Sequence, residues 1–113
     1  MIMSEQFALD IVNCCNYLKR EKREFTMSDQ LLRSGTSIGA NIAESLYAES
    51  SSDFIHKLMI SQKEASETRF WLRLLFKGGY LPEQYYSPLK DQCTSLLNIL
   101  SSIIVSVKNK TLL

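Results

Sequence analysis

At 113 residues the chain is long enough for one domain with a buried core, and 45% apolar against 22% charged residues rules out a disordered composition. Thirteen Lys or Arg against twelve Asp or Glu leave a net charge of +1. That balance argues against a protein held to nucleic acid by bulk charge.

The start, Met1-Ile2-Met3-Ser4-Glu5, has no basic segment followed by an apolar run, so no signal peptide is expected. Leu96 to Val107 is the longest apolar stretch, but Asn98, Ser101, Ser102 and Ser106 interrupt it and it is too short to span a bilayer. No segment alternates apolar and polar residues long enough for a sheet, whereas helical spacing appears four times. The first helix is predicted from Ser4, its candidate N-cap, to Lys22, with Phe7, Ile11, Cys14, Cys15 and Leu18 as one apolar stripe. Its closing cations, Lys19, Arg20 and Lys22, lie where the helix dipole favours them.

The second helix is expected to open with Thr26 as N-cap and Asp29 as its capping-box partner. Met27, Leu31, Gly35, Ile38, Ile42 and Leu46 make its inward stripe. Ser34, Gly35, Thr36, Ser37, Gly39, Ala40, Ala43 and Ser45 are all small. Each interior glycine costs roughly 1 kcal/mol relative to alanine, so close packing on more than one side is expected in return. Arg33, Ser37, Asn41 and Glu44 fall at steps of three and four away from Ile38 and Ile42. They are predicted to be polar anchors meeting a neighbouring helix or subunit, with Glu64 or Glu67 facing Arg33.

The third helix is expected after a Ser50 cap, with Asp53 three residues on, and to end at Gly78-Gly79. Phe54, Leu58, Ser61, Ala65, Thr68, Leu72, Leu75 and Phe76 form its core stripe. A second arc carries Ile60, Glu64, Glu67, Trp71 and Leu74, and we assign it to a contact between copies of the chain. The fourth helix is expected to begin at Ser87 or Pro88, because proline disfavours helical geometry in the residue before it. Its apolar face includes Leu89, Cys93, Leu96, Leu100 and Ile104. The predicted architecture is all-α, an antiparallel up-down four-helix bundle over residues 1–113.

The chemistry is sparse. The single histidine, His56, has no ligand set at metal spacing, and Glu64 is followed three residues later by Glu67 rather than the histidine of a diiron bundle. No phosphate loop or nucleophile elbow appears. Adjacent Cys14 and Cys15 lack the spacer of a zinc or redox motif, so with Cys93 they are expected as free buried thiols in a reducing cytoplasm. Neither catalysis nor a cofactor, metal or small-molecule substrate is expected. Arg69, Arg73 and Lys77 repeat every four residues as a basic ridge and are the candidate nucleic-acid contacts.

The run from Gln30 to Glu44, QLLRSGTSIGANIAE, continues through Ala48, Ser50, Asp53-Phe54-Ile55-His56-Lys57, Lys63 to Thr68 and Trp71-Leu72. It resembles the signature of the bacterial four helix bundle protein family, first noticed in intervening sequences of the 23S ribosomal RNA gene. The resemblance implies an antiparallel bundle assembled as a homo-oligomer, commonly a pentamer, with no established enzymatic activity. Some relatives serve diversity-generating retroelements and bind nucleic acid through a strongly basic surface. Many members carry basic residues after the alanine–glutamate pair of the second helix, where this chain has Ala48 and Glu49. The expected partner is therefore the chain itself, with RNA or DNA as a weaker alternative and no membrane.

Overall fold

Four amphipathic segments joined by connections of only four or five residues fold as α1 (Ile2–Glu21), α2 (Thr26–Ser45), α3 (Ser51–Lys77) and α4 (Glu83–Thr111). Short connections force consecutive helices to lie antiparallel. A computed structural model describes residues 2–111, and among these no strand occurs. Residue pairs across the seams fix the directions: Cys15 meets Ser28 between α1 and α2, Ser61 meets Ile38 between α2 and α3, Gln62 meets Ser101 between α3 and α4, and Gln92 meets Asp10 between α4 and α1. Each helix therefore touches its two neighbours in a ring, while α1 and α3 lie on a diagonal. The bundle measures 52 × 21 × 20 Å. Among the described residues, no helix is long and apolar enough to cross a membrane.

The core follows the predicted stripes closely. Phe7, Ile11 and Leu18 of α1, Leu31 and Ile38 of α2, Leu72 and Leu75 of α3, and Leu96 and Leu100 of α4 are essentially inaccessible. Leu46 departs from its expected place, standing 72% exposed beside Tyr47 at 87%. It is the C-cap residue of α2, and Ser45 takes the buried place in the last turn instead. Phe54 and Phe76, placed in the α3 stripe, are half-buried at its flanks rather than in the core. Gly35 packs on Ile11 so closely that an added Cβ would lie 2.9 Å from the isoleucine Cγ2. Here glycine permits a backbone approach that alanine would block.

Helix ends show where local chemistry decides and where it does not. Ser50 accepts a hydrogen bond from the Asp53 amide at 3.0 Å, and Gly79 adopts φ +85° after the last turn of α3. Both features match the expectation. Ser4 is not the N-cap of α1, because the helix already starts at Ile2 and Ser4 is buried inside it. Thr26 is not the cap of α2 either. The Glu24 carboxylate accepts from the Met27 and Ser28 amides at 3.3 and 2.8 Å, and Asp29 instead pairs with Lys19 at 2.6 Å. Glu24 is placed to do so because Arg23, just past the end of α1, turns the chain at φ +54°, with the Glu24 amide bonded to the Leu18 carbonyl.

The start of α4 also differs from expectation. It begins at Glu83 and runs unbroken through Pro88. Proline removes one hydrogen bond, but Pro88 faces outward, where water can serve the freed carbonyl. The turn before it is anchored by tertiary contacts. Tyr86 stacks on Phe76 with ring centroids 4.2 Å apart, Tyr85 meets Tyr17 at 4.8 Å, and the Pro82 carbonyl accepts from the Tyr85 and Tyr86 amides.

Candidate functional site

Two clusters hold the polar residues singled out above, and they lie on different sides of α3. The first spans the α2–α3 seam. Arg33 donates to Glu64 at 3.1 Å and also to Glu67, whose carboxylate accepts the Trp71 indole N–H at 3.0 Å. The Arg33 partners are those expected from the helix geometry. The arc of Ile60, Glu64, Glu67 and Trp71, however, is partly spent within the chain. Ile60 and Trp71 are half-buried, and Trp71 packs on the hydrophobic core. The reason is angular: this arc faces α2, so it meets an intrachain neighbour before any partner. Leu74 alone of the set is exposed.

The other proposed anchors are more local than expected. Ser37 donates to the Arg33 carbonyl at 2.6 Å and Asn41 to the Ser37 carbonyl at 2.9 Å, both within α2. Small polar side chains on a helix bond readily to the preceding turn, which here satisfies them without a neighbour. Glu44 does reach α3, pairing with Lys57 at 3.6 Å.

The outward stripe of α3 is a different surface. Met59, Lys63, Ser66, Phe70, Arg73 and Lys77 recur at steps of four and three and are all exposed. They lie opposite the buried set Leu58, Ser61, Ala65, Thr68, Leu72 and Leu75. Phe70, 45% exposed, is braced edge-on by Trp71 at 5.0 Å. Arg69 lies nearer α4, where its charge offsets part of the upward push on the Cys93 thiol. Among the described residues, Lys63, Arg69, Arg73 and Lys77 form no ion pair. Sequence reasoning missed Met59 and Phe70, although their spacing opposite the core stripe was visible.

Two grooves flank α1. One, of about 300 Å³, lies along the α1–α2 seam between Glu5 and Ala8 on one side and Thr36, Gly39, Ala40 and Ala43 on the other. The second, of about 590 Å³, lies between α1 and α4 and includes Asp10, Cys14, Tyr17, Arg20 and Tyr85. Its chemistry is quiet. Both Asp10 oxygens accept side-chain amide bonds, from Gln6 and Gln92 at 3.1 and 3.2 Å. Burial, with a smaller push from Cys15, raises the Cys14 thiol to about 12, so it stays protonated and unreactive near neutral pH. Burial likewise lifts Cys15 and Cys93 to about 11. All three thiols are free. Among the described residues, no group of three His, Cys, Asp or Glu side chains converges as a metal site.

A search of curated proteins found no match. Among solved structures, the chain is similar to a protein of unknown function from the S23 ribosomal protein family of Bacteroides thetaiotaomicron VPI-5482. The two share 48% identity and superpose with a TM-score of 0.89, covering 90% of this chain and 94% of the other. The family model for the 23S rRNA-intervening sequence protein matches residues 2–102. With nearly the whole bundle matched in both sequence and shape, the chain belongs to the 23S rRNA-intervening sequence protein family.

Proposed function

We propose that this chain is a non-enzymatic cytoplasmic scaffold that works by associating with copies of itself. The observation that carries the reading is the pair of apolar rows left open on opposite helices. Met59, Phe70 and Leu74 stand exposed on α3, and Leu9 and Val12 stand exposed on α1. Large apolar side chains left in water are a liability in a monomer and serve naturally as a contact. The family resemblance favours five subunits. Size exclusion coupled to light scattering tests the reading at micromolar concentration. A multiple of the 13.0 kDa chain mass is expected, and the mass of one chain would overturn it.

A second reading rests on charge. The antiparallel order brings the C-terminal ends of α1 and α3 to one end of the bundle, so Arg20, Lys22 and Arg23 share that end with Arg73 and Lys77. Oligomer symmetry would multiply such a patch into an avid phosphate-binding surface. Three phosphate contacts from Arg69, Arg73 and Lys77 predict a salt slope of about −2.7 on duplex DNA, at about −0.9 per contact. Changing the three to glutamine should abolish retention in a gel-shift assay. Binding that survives the triple change would place the nucleic-acid surface elsewhere.

A further inference from the structure

If copies of this chain associate, the faces that meet can be assigned. We propose that the outer stripe of α3 in one subunit packs into the α1–α2 groove of the next, with Phe70 seated in the groove. This inference rests on the self-association reading and adds which surface meets which.

Three observations lead to it. Shape is the first. Apart from Glu5 at its edge, the groove is lined by small side chains, Ser4, Ala8, Thr36, Ala40 and Ala43 with Gly39, which leave roughly 300 Å³. A cavity of about 150 Å³ already admits benzene, so a phenyl side chain fits with room for its neighbours. The α3 stripe supplies that phenyl near its centre, with Trp71 edge-on beside it at 5.0 Å. Small-residue walls also let a partner helix approach closely, and Met59 and Leu74 extend the apolar contact beyond Phe70.

Charge is the second. The stripe carries Lys63, Arg73 and Lys77, none of them engaged in an ion pair among the described residues. The groove is edged by Glu5, likewise without an ion pair. A cationic ridge thus faces the Glu5 carboxylate across the contact. Complementary charge of this kind fixes register and discourages like surfaces from meeting.

Placement is the third. Because α1 and α3 lie on a diagonal, the groove and the stripe occupy different sides of the bundle, and one subunit can use both at once. A contact between unlike faces repeats from subunit to subunit, closing into a ring or extending as a filament.

The test uses two full-length variants, each blocking one face. Ala40→Arg fills the groove and gives it the charge of the stripe. Phe70→Glu removes the aromatic side chain and reverses the local charge. Both positions are exposed, so each chain should keep its helical circular dichroism. Lys63→Glu combined with Arg73→Glu replaces Phe70→Glu if that variant misfolds. By light scattering, each variant alone should fall to 13.0 kDa, and an equimolar mixture should give a species of twice that mass and nothing larger. The mixture retains one intact groove and one intact stripe, which make a single contact. A wild-type chain that is itself monomeric would overturn the self-association reading along with this one. A wild-type assembly that neither variant disturbs would overturn only the assignment of faces. Single variants that each stop at twice the chain mass would show that each face meets its own kind, and single variants that dissociate but do not combine would show that groove and stripe do not meet; either result would overturn it.

Discussion

The α2–α3 seam and the α1–α4 seam close the same bundle by different means. Between α2 and α3, small polar residues sit among the apolar ones, and each of their hydroxyls is spent. Ser61 donates to the Ile38 carbonyl at 2.7 Å, Thr68 to the Ser34 hydroxyl at 2.9 Å, and Arg33 clamps Glu64 and Glu67 at the surface. Between α4 and α1, apart from the Gln92–Asp10 bond and the Tyr17–Tyr85 pair, the seam opens into the groove of about 590 Å³. Close backbones need side chains short enough to fit and polar enough to satisfy themselves, because an unpaired buried hydroxyl would cost about 1–3 kcal/mol. A loose seam has no such requirement and tolerates large polar residues and water.

Matched truncations on the two seams should break this contrast most visibly. Ile38→Ala leaves a void that the tight α2–α3 seam cannot collapse around, and should cost about 3–4 kcal/mol in urea unfolding. Leu89→Ala borders the open groove, where water can enter, and should fall at or below the low end of the usual range, about 2 kcal/mol. Equal losses would show that the open seam is as rigid as the closed one.

Gly35→Ala probes the seam between these extremes. Its new Cβ would press on Ile11 at atoms close to the isoleucine backbone, which have little freedom to move. The overpacking should cost about 1–3 kcal/mol, even though alanine favours a helix. A rise in melting temperature would mean that α1 slides easily on α2. A smaller effect is expected at the surface clamp. Arg33→Met should cost no more than about 1 kcal/mol, since the arginine is about half exposed and solvent screens the pair. It should also redshift the fluorescence of Trp71 if loss of the clamp frees Glu67 and wets the indole.

The smallest effect separates seam opening from thiol chemistry. Burial holds Cys14 at about 12 and Cys93 at about 11, so intrinsic reactivity at pH 8 favours Cys93. Cys14 borders the open groove, whereas Cys93 donates to the Ala65 carbonyl inside the α3–α4 seam. Native-state labelling should therefore modify Cys14 first, because local opening governs access. Faster modification of Cys93 would place the weaker seam elsewhere.

Legibility in the sequence tracked the range of the interaction. The α3 ends were readable because Ser50 with Asp53, and Gly78 with Gly79, act within a few residues of one another. The Arg33 contact with Glu64 and Glu67 was readable because helical spacing placed all three on facing arcs. The α2 cap was not, since Glu24 acts only once Arg23 has reversed the chain direction. Nor was the start of α4, where Phe76 and Tyr17, distant in sequence, hold the turn ahead of Pro88.

From the sequence alone come the number of helices, their order, their antiparallel course and most of the core, because a period of 3.6 and short connections are local properties. Which outer arc remains open was decided only in the folded bundle. Periodicity groups residues into arcs around one helix, but it does not say which neighbour covers each arc. Here α2 takes the arc of Trp71, Glu64 and Glu67, and the arc left in water is that of Phe70, Lys63 and Arg73.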